Sequence, residues 1–164
     1  MEPSPESKEI TSRFEKLLVA LSASGVDFAV VGGVAVILNG YPRLTLDADI
    51  LVHGDMENLR RMLNCLAGWG EGWSRELKPE DFMVQEEGSI RVMEEFDLDI
   101  FTRMRGKTLE DFRPTLRYLQ TNDARIPYLS PSDLVYLKEG SWREKDQLDV
   151  LALREIITRE AKSN

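Results

Sequence analysis

The sequence is poor in cysteine, in histidine and in long apolar runs, and each scarcity narrows what the protein can be. Its single cysteine, Cys65, has no partner for an internal disulfide, which points to a reducing, cytoplasmic setting. Cys65 lies among Met62, Leu63 and Leu66 and reads as a small core residue. The only histidine, His53, directly follows an apolar run and reads as a turn residue rather than a ligand. No apolar stretch approaches the length needed to cross a bilayer, and no charged, apolar and small-residue leader pattern opens the chain, so no membrane partner is expected. Positive charge is also short, with 21 Lys and Arg against 29 Asp and Glu and a net charge of -8. That balance argues against coating nucleic acid by bulk electrostatics.

What remains is an ordinary globular composition over 164 residues, 42% hydrophobic and 30% charged, enough for a real core. Charge is unevenly spread. Residues 71–99 hold ten acids against Arg75, Lys78 and Arg91, whereas Arg103, Arg105, Lys107, Arg113, Arg117 and Arg125 outnumber three acids over 103–125. The second segment leaves room for a local phosphate or RNA contact. No repeat, low-complexity tract or linker interrupts the chain, so a single α/β domain over 1–164 is expected, its C-terminal helices 131–161 packed on the core.

Periodicity predicts the elements. Ile10, Phe14, Leu17, Leu18 and Leu21 form one helical stripe between about Glu6 and Ser24, punctuated by Pro5 and Gly25. Phe28 to Val31 reads as a short buried strand, Gly33 to Asn39 as two helical turns stopped by Gly40, and Leu46 to Val52 as a second strand. Met56 to Leu66 is amphipathic, and the segment from Trp69 to Trp73 breaks it. Residues 82–92 suggest a hairpin turning near Gly88, and EFDLDIF a third strand. Thr108, with Asp111 in the capping-box position, predicts a helix to about Leu119, followed by the extended RIPYL. Ser130, Pro131, Asp133 and Gly140 carry the start and stop signals of a helix, and the last helix covers roughly Arg143 to Ala161.

Two strands share an anomaly. Asp47 and Asp49 in LDADILV alternate with Ala48 and Ile50, which places both carboxylates on one face about 7 Å apart. Asp97 and Asp99 repeat the pattern in FDLDIF, with Leu98 and Ile100 turned to the core. Either these are solvent-facing carboxylates on a half-exposed sheet, or two adjacent strands gather acids around a divalent cation. Mg²⁺ is the natural occupant, since it prefers hard oxygen ligands beside substrate phosphates. Gly32 and Gly33 lead from the preceding strand into a helix, where backbone N–H groups can approach a phosphate.

The stretch VVGGVAVILNGYPRLTLDADILV resembles the core of the DNA-polymerase-β-like nucleotidyltransferase superfamily. The string Arg43, Thr45, Asp47, Asp49 is most similar to the AbiEii-type members, toxins of toxin–antitoxin and phage-defence systems and stand-alone proteins. DIFTRMRGKTLEDF and the tail SPSDLVYLKEGSWREKDQLDVLAL extend the likeness in the same order, although the chain is shorter than many such proteins. The resemblance implies a small mixed sheet flanked by helices. It also implies transfer of a nucleoside monophosphate from an NTP such as ATP to a hydroxyl on a small molecule, an RNA end or a protein. Gly32 and Gly33 would hold the triphosphate, and Arg43, Thr45 and Lys138 would contact the nucleotide. Asp47 and Asp49 would ligate Mg²⁺ or Mn²⁺, and Asp99 would be third ligand and general base, with Asp97 as auxiliary ligand or acidic neighbour. Arg43 reads equally as a surface counter-charge, Lys145 with Asp146 as a nucleotide contact or equally as a helix-surface partner of Asp149, and Tyr41 as a buried aromatic or a base-stacking ring. The rival reading is a catalytically silent nucleotide- or metal-binding module, paired with an antitoxin-like protein.

Overall fold

The computed structural model describes residues 5–69, 73–83, 89–93 and 97–163. Helix α1 spans Pro5–Ala23, β1 Phe28–Val31, α2 Gly32–Leu38, β2 Asp47–Val52 and α3 Met56–Leu66. These are followed by α4 Pro79–Met83, β3 Ile90–Met93, β4 Asp97–Phe101, α5 Leu109–Phe112, β5 Arg117–Gln120, β6 Arg125–Tyr128, α6 Pro131–Lys138 and α7 Glu144–Ser163. The six strands form one mixed sheet in the order β3-β4-β2-β1-β6-β5. β2 runs parallel to β4 and antiparallel to β1, while β1 runs parallel to β6. The fold class is therefore α/β with a mixed sheet flanked by helices, as expected.

The apolar periodicities explain this packing. Phe14, Leu17, Leu18 and Leu21 of α1 meet all four residues of β1 and Leu59, Met62 and Leu66 of α3 in one buried cluster, which Leu134 of α6 and Leu153 of α7 also join. Cys65 and Tyr41 are partly buried against that cluster. Ala48, Ile50, Leu98 and Ile100 are each at most 2% exposed, so the residues between the aspartates do form the core side of their strands. Among the described residues thirty-three apolar side chains, from Phe14 to Ile156, are removed from water, and such burial is the dominant favourable term in folding. Ser130 caps α6 by accepting from the Asp133 N–H at 3.3 Å, and Asp55 caps α3 by accepting from Asn58 at 2.7 Å.

Two expectations are corrected. The helix begun at Thr108 has its capping box, with the Thr108 N–H donating to Asp111 at 2.9 Å, but α5 ends at Phe112. Pro114 lacks the N–H that helix propagation requires, so the chain passes through a 3-10 turn at Arg113–Thr115 and continues as β5, antiparallel to β6. The second correction concerns residues 82–92. Phe82 and Met83 close α4 instead of forming a strand, and β3 pairs antiparallel with β4. The turn near Gly88, the interruption at 70–72, residues 95–96 of EFDLDIF and the Ile10 side chain lie outside the described residues.

Candidate active site

The strand pairing builds the site. β2 and β4 lie in parallel register with Asp47 beside Asp97 and Asp49 beside Asp99. On the other side of β2, Asp49 stands opposite Val31, the last residue of β1, immediately before Gly32 and Gly33. Asp47, Asp49 and Asp99 each offer a carboxylate oxygen within 4.8 Å of the others. Asp97 stands beside Asp47, two residues along β4 from Asp99.

Both glycines are demanded by this crowding. Gly32 has φ +64°, and a Cβ there would lie 2.1 Å from Oδ2 of Asp49. A Cβ on Gly33 would lie 2.8 Å from Nη2 of Arg43 and 3.0 Å from Oγ1 of Thr45. The turn therefore admits the Asp49 carboxylate on one side and the Arg43–Thr45 segment on the other. Thr45 is 3% exposed, and its hydroxyl lies 3.1 Å from the Asp47 carbonyl and 3.3 Å from Asp47 Oδ1, donating toward both. It holds the first aspartate in place.

Burial and two neighbouring carboxylates raise the cost of ionising Asp49. Asp49 is pushed up from 3.8 to about 7, first by burial, then by the charges of Asp47 and Asp99, with Lys138 opposing. The donor set is thus short of positive charge and chemically suited to a hard divalent cation. One cation is supplied by the fold itself. Arg91 on β3 stands opposite Asp99 in the antiparallel pair. Its Nε donates to Asp99 Oδ1 at 2.8 Å and its Nη2 to Oδ2 at 2.9 Å. Nη1 reaches Asp97 at 3.2 Å, and Nη2 comes within 3.6 Å of Asp47. Along the sequence Arg91 is a minority charge in an acidic segment, and the signal that marks it is its position on a strand preceding FDLDIF.

A second charged group borders the first. Asp149 of α7 is fully buried and meets Arg43 through Nε at 2.8 Å and Nη2 at 2.9 Å. Lys138, at the end of α6, lies 3.0 Å from Asp149 and 3.1 Å from Asp146. Burial pushes Asp146 up, but hydrogen bonds from Ser141 and Lys138 bring it below the usual carboxylate range. The expected Lys145–Asp149 surface pair is thereby corrected: Lys145 is exposed, whereas Asp149 faces inward to Arg43 and Lys138. Arg43 and Lys138 are only 13% and 12% exposed at their side chains, and both already carry carboxylate partners.

Asp27, His53 and Glu110 form another trio with oxygen or nitrogen atoms within 4.8 Å. It lies at the opposite end of β1 and β2 from the aspartate site, where Arg113 bridges Asp27 at 2.7 Å and Glu110 at 2.6 Å. The basic segment 103–125 is divided rather than continuous. Arg113 is paired as described, Arg117 is paired with Glu160 at 2.9 Å, Arg125 stacks on Tyr118, and Arg105 and Lys107 flank Tyr136.

With that geometry in place, comparison with solved structures is informative. An antigenic nucleotidyltransferase-like protein from Paracoccidioides brasiliensis aligns with TM-score 0.55 at 18% identity, covering 90% of this chain and 76% of that one. The fold is that of a nucleotidyltransferase. The lincosamide antibiotic adenylyltransferase LnuA, in its lincomycin-bound form, also aligns with TM-score 0.55 at 18% identity, over 95% of this chain and 99% of its own. No family model matches the sequence, and no curated protein does. The nucleotidyltransferase fold places the two D-x-D strands side by side, and among the described residues no helix is long and apolar enough to cross a membrane.

Proposed function

We infer that this chain is a divalent-metal-dependent nucleotidyltransferase, moving a nucleoside monophosphate from an NTP to a hydroxyl acceptor. The observation that carries this reading is the Asp47–Asp49–Asp99 cluster beside the Gly32–Gly33 turn, set in a nucleotidyltransferase fold. Asp47, Asp49 and Asp99 would hold Mg²⁺, or Mn²⁺ in its place. When bound, the metal neutralises phosphate charge and lowers the pKa of an attacking hydroxyl.

The protein's own groups divide the remaining work. Thr45 fixes Asp47, and the Gly32–Gly33 turn, packed directly against Asp49, would hold the triphosphate through its backbone N–H groups. Asp99 would accept the proton of the acceptor hydroxyl, whose oxygen would bond to the α-phosphorus as the bond to pyrophosphate breaks. Lys138 lies within electrostatic reach of Asp49 and supports the charge of a bound nucleotide. Arg43 acts one step back, bracing the turn against α7. These are positioning and charge-neutralising roles, the main resources for phosphoryl transfer. Likeness to an adenylyltransferase suggests ATP as the NTP, and the AbiEii-type likeness of the R-x-T-x-D-x-D string suggests a toxin or defence role with an antitoxin-like partner.

Thermal denaturation with and without NTP plus Mg²⁺ tests the reading, comparing the wild type with Asp49→Asn. A stabilising shift confined to the wild type is expected, and identical responses remove its basis. Incubation with each labelled NTP and a cell extract would then show which class of molecule becomes labelled.

A further inference from the structure

Taking the Asp47–Asp49–Asp99 cluster as the metal site, we propose that Arg91 is its resident counter-cation, a side chain that grips Asp99 before the metal arrives and must release it for the metal to bind. The strand register makes this arrangement unavoidable. Arg91, Asp99, Asp49 and Val31 stand in one row across β3, β4, β2 and β1, so the guanidinium projects from the same face as the carboxylates.

Its bonding is with the oxygens a metal would need. Nε and Nη2 engage both oxygens of Asp99 at 2.8 and 2.9 Å, a paired fork with defined directions. Nη1 takes Asp97 at 3.2 Å, and Nη2 stands 3.6 Å from Asp47. Asp99 is 7% exposed and without Arg91 would be a buried anion beside two others, a costly arrangement. The fold therefore carries its own neutralising charge in the absence of metal. A guanidinium that lies on both oxygens of Asp99 and 3.6 Å from Asp47 repels a divalent cation held by the same carboxylates, so the two compete.

The lever is also free to move. The Arg91 side chain is 49% exposed while that of Asp99 is 10% exposed, so the guanidinium covers the cluster from the solvent side and can leave by rotating outward. Arg43 has no such freedom, since Asp149 holds it at 13% exposure. A divalent ion held by the three carboxylates would supply the positive charge that buried Asp99 loses when the guanidinium leaves.

Arginine Nε–H resonances of the ¹⁵N-labelled full chain, titrated with Mg²⁺, provide the test. Arg91→Lys identifies the Arg91 signal, and Mn²⁺ affinity is measured in parallel by calorimetry for the wild type, Arg91→Lys and Arg91→Gln. The expected result is that Mg²⁺ shifts the Arg91 signal toward that of a solvent-exposed arginine, and that Arg91→Gln binds Mn²⁺ roughly tenfold more tightly. Arg91→Lys should fall between, because it keeps the charge and loses the fork. An Arg91 signal unmoved at saturating Mg²⁺, or Mn²⁺ affinity that falls on losing Arg91, overturns the proposal while leaving the metal site standing. Absence of Mn²⁺ binding by wild type and variants alike overturns both. Where Arg91→Gln folds poorly, the wild-type titration, read at the signal that Arg91→Lys identifies, decides the matter.

Discussion

Asp149, fully buried in α7, faces Arg43 with both carboxylate oxygens, at 2.8 and 2.9 Å, and Lys138 at 3.0 Å. This contact ties the C-terminal helix to the segment that leads into the first two aspartates, and it converts two cations that could face solvent into fixed parts of the frame.

Removing that anion leaves two poorly exposed cations without their buried partner. Asp149→Ala should therefore lower stability by about 3–5 kcal/mol in urea denaturation, the range for breaking one side of a buried pair. Lys145→Ala, four residues earlier and exposed, should stay within about 0.5 kcal/mol of wild type. Equal effects from the two substitutions would place the helix in another rotation.

Gly32 is required on two counts, its φ of +64° and the 2.1 Å approach of Asp49 Oδ2 to a built Cβ. Gly32→Ala should cost more than the about 1–2 kcal/mol of left-handed backbone strain alone. In an Asp49→Ala background the cost should drop toward that strain, because the clashing carboxylate is gone. Strict additivity in a double-mutant cycle would show that the two residues do not touch.

Ionisation of Asp49 should be visible in the stability curve. Its pKa rises from 3.8 to about 7 on folding, through burial and then through Asp47 and Asp99. Between those values the folded state holds the proton more firmly than the unfolded state does. Stability should therefore fall as pH rises from about 4 to about 7, relative to Asp49→Asn, and level off above. The measurement is the Tm difference between the two proteins across this range in the presence of chelator. A difference independent of pH would contradict the crowded site. Mg²⁺ added above pH 7 should recover the lost stability in the wild type alone.

Thr45→Val keeps the shape of a 3% exposed side chain and removes the hydroxyl that restrains Asp47. A loss of about 0.5–1.5 kcal/mol in stability is expected. The stabilisation by NTP plus Mg²⁺ should shrink by a larger proportion, since Asp47 loses its orientation. An unchanged ligand response would make Thr45 a packing residue only.

Much of this arrangement is legible along the chain because it depends on short-range rules. The alternation in LDADILV and DLDIF sets which side chains share a face, the Ser130–Pro131 and Thr108–Asp111 signals start helices, and the stripe at Phe14, Leu17, Leu18 and Leu21 buries α1. Local signals failed where a neighbour overrode them. Thr108 promises a longer helix, yet Pro114 ends it and the pairing of β5 with β6 captures Arg117–Gln120. Residues 82–92 read as a hairpin, but Phe82 is buried in α4, and among the described residues it is Ile90–Met93 that pairs, with β4.

The site divides along the same line. Residue spacing alone dictates that Asp47 and Asp49 share a face, that Asp97 and Asp99 do too, and that a glycine pair precedes them. Which partners meet those groups depends on the order of strands and the docking of α7. Only the parallel register of β2 and β4 sets Asp49 beside Asp99, and only the antiparallel β3 brings Arg91 opposite Asp99. Arg43 and Lys138 likewise find Asp149 across the fold rather than through helical spacing. The physical reason is range: strand alternation and helix capping act over a few residues, whereas the neutralisation of a buried carboxylate is decided by whichever cation folding brings within about 4 Å.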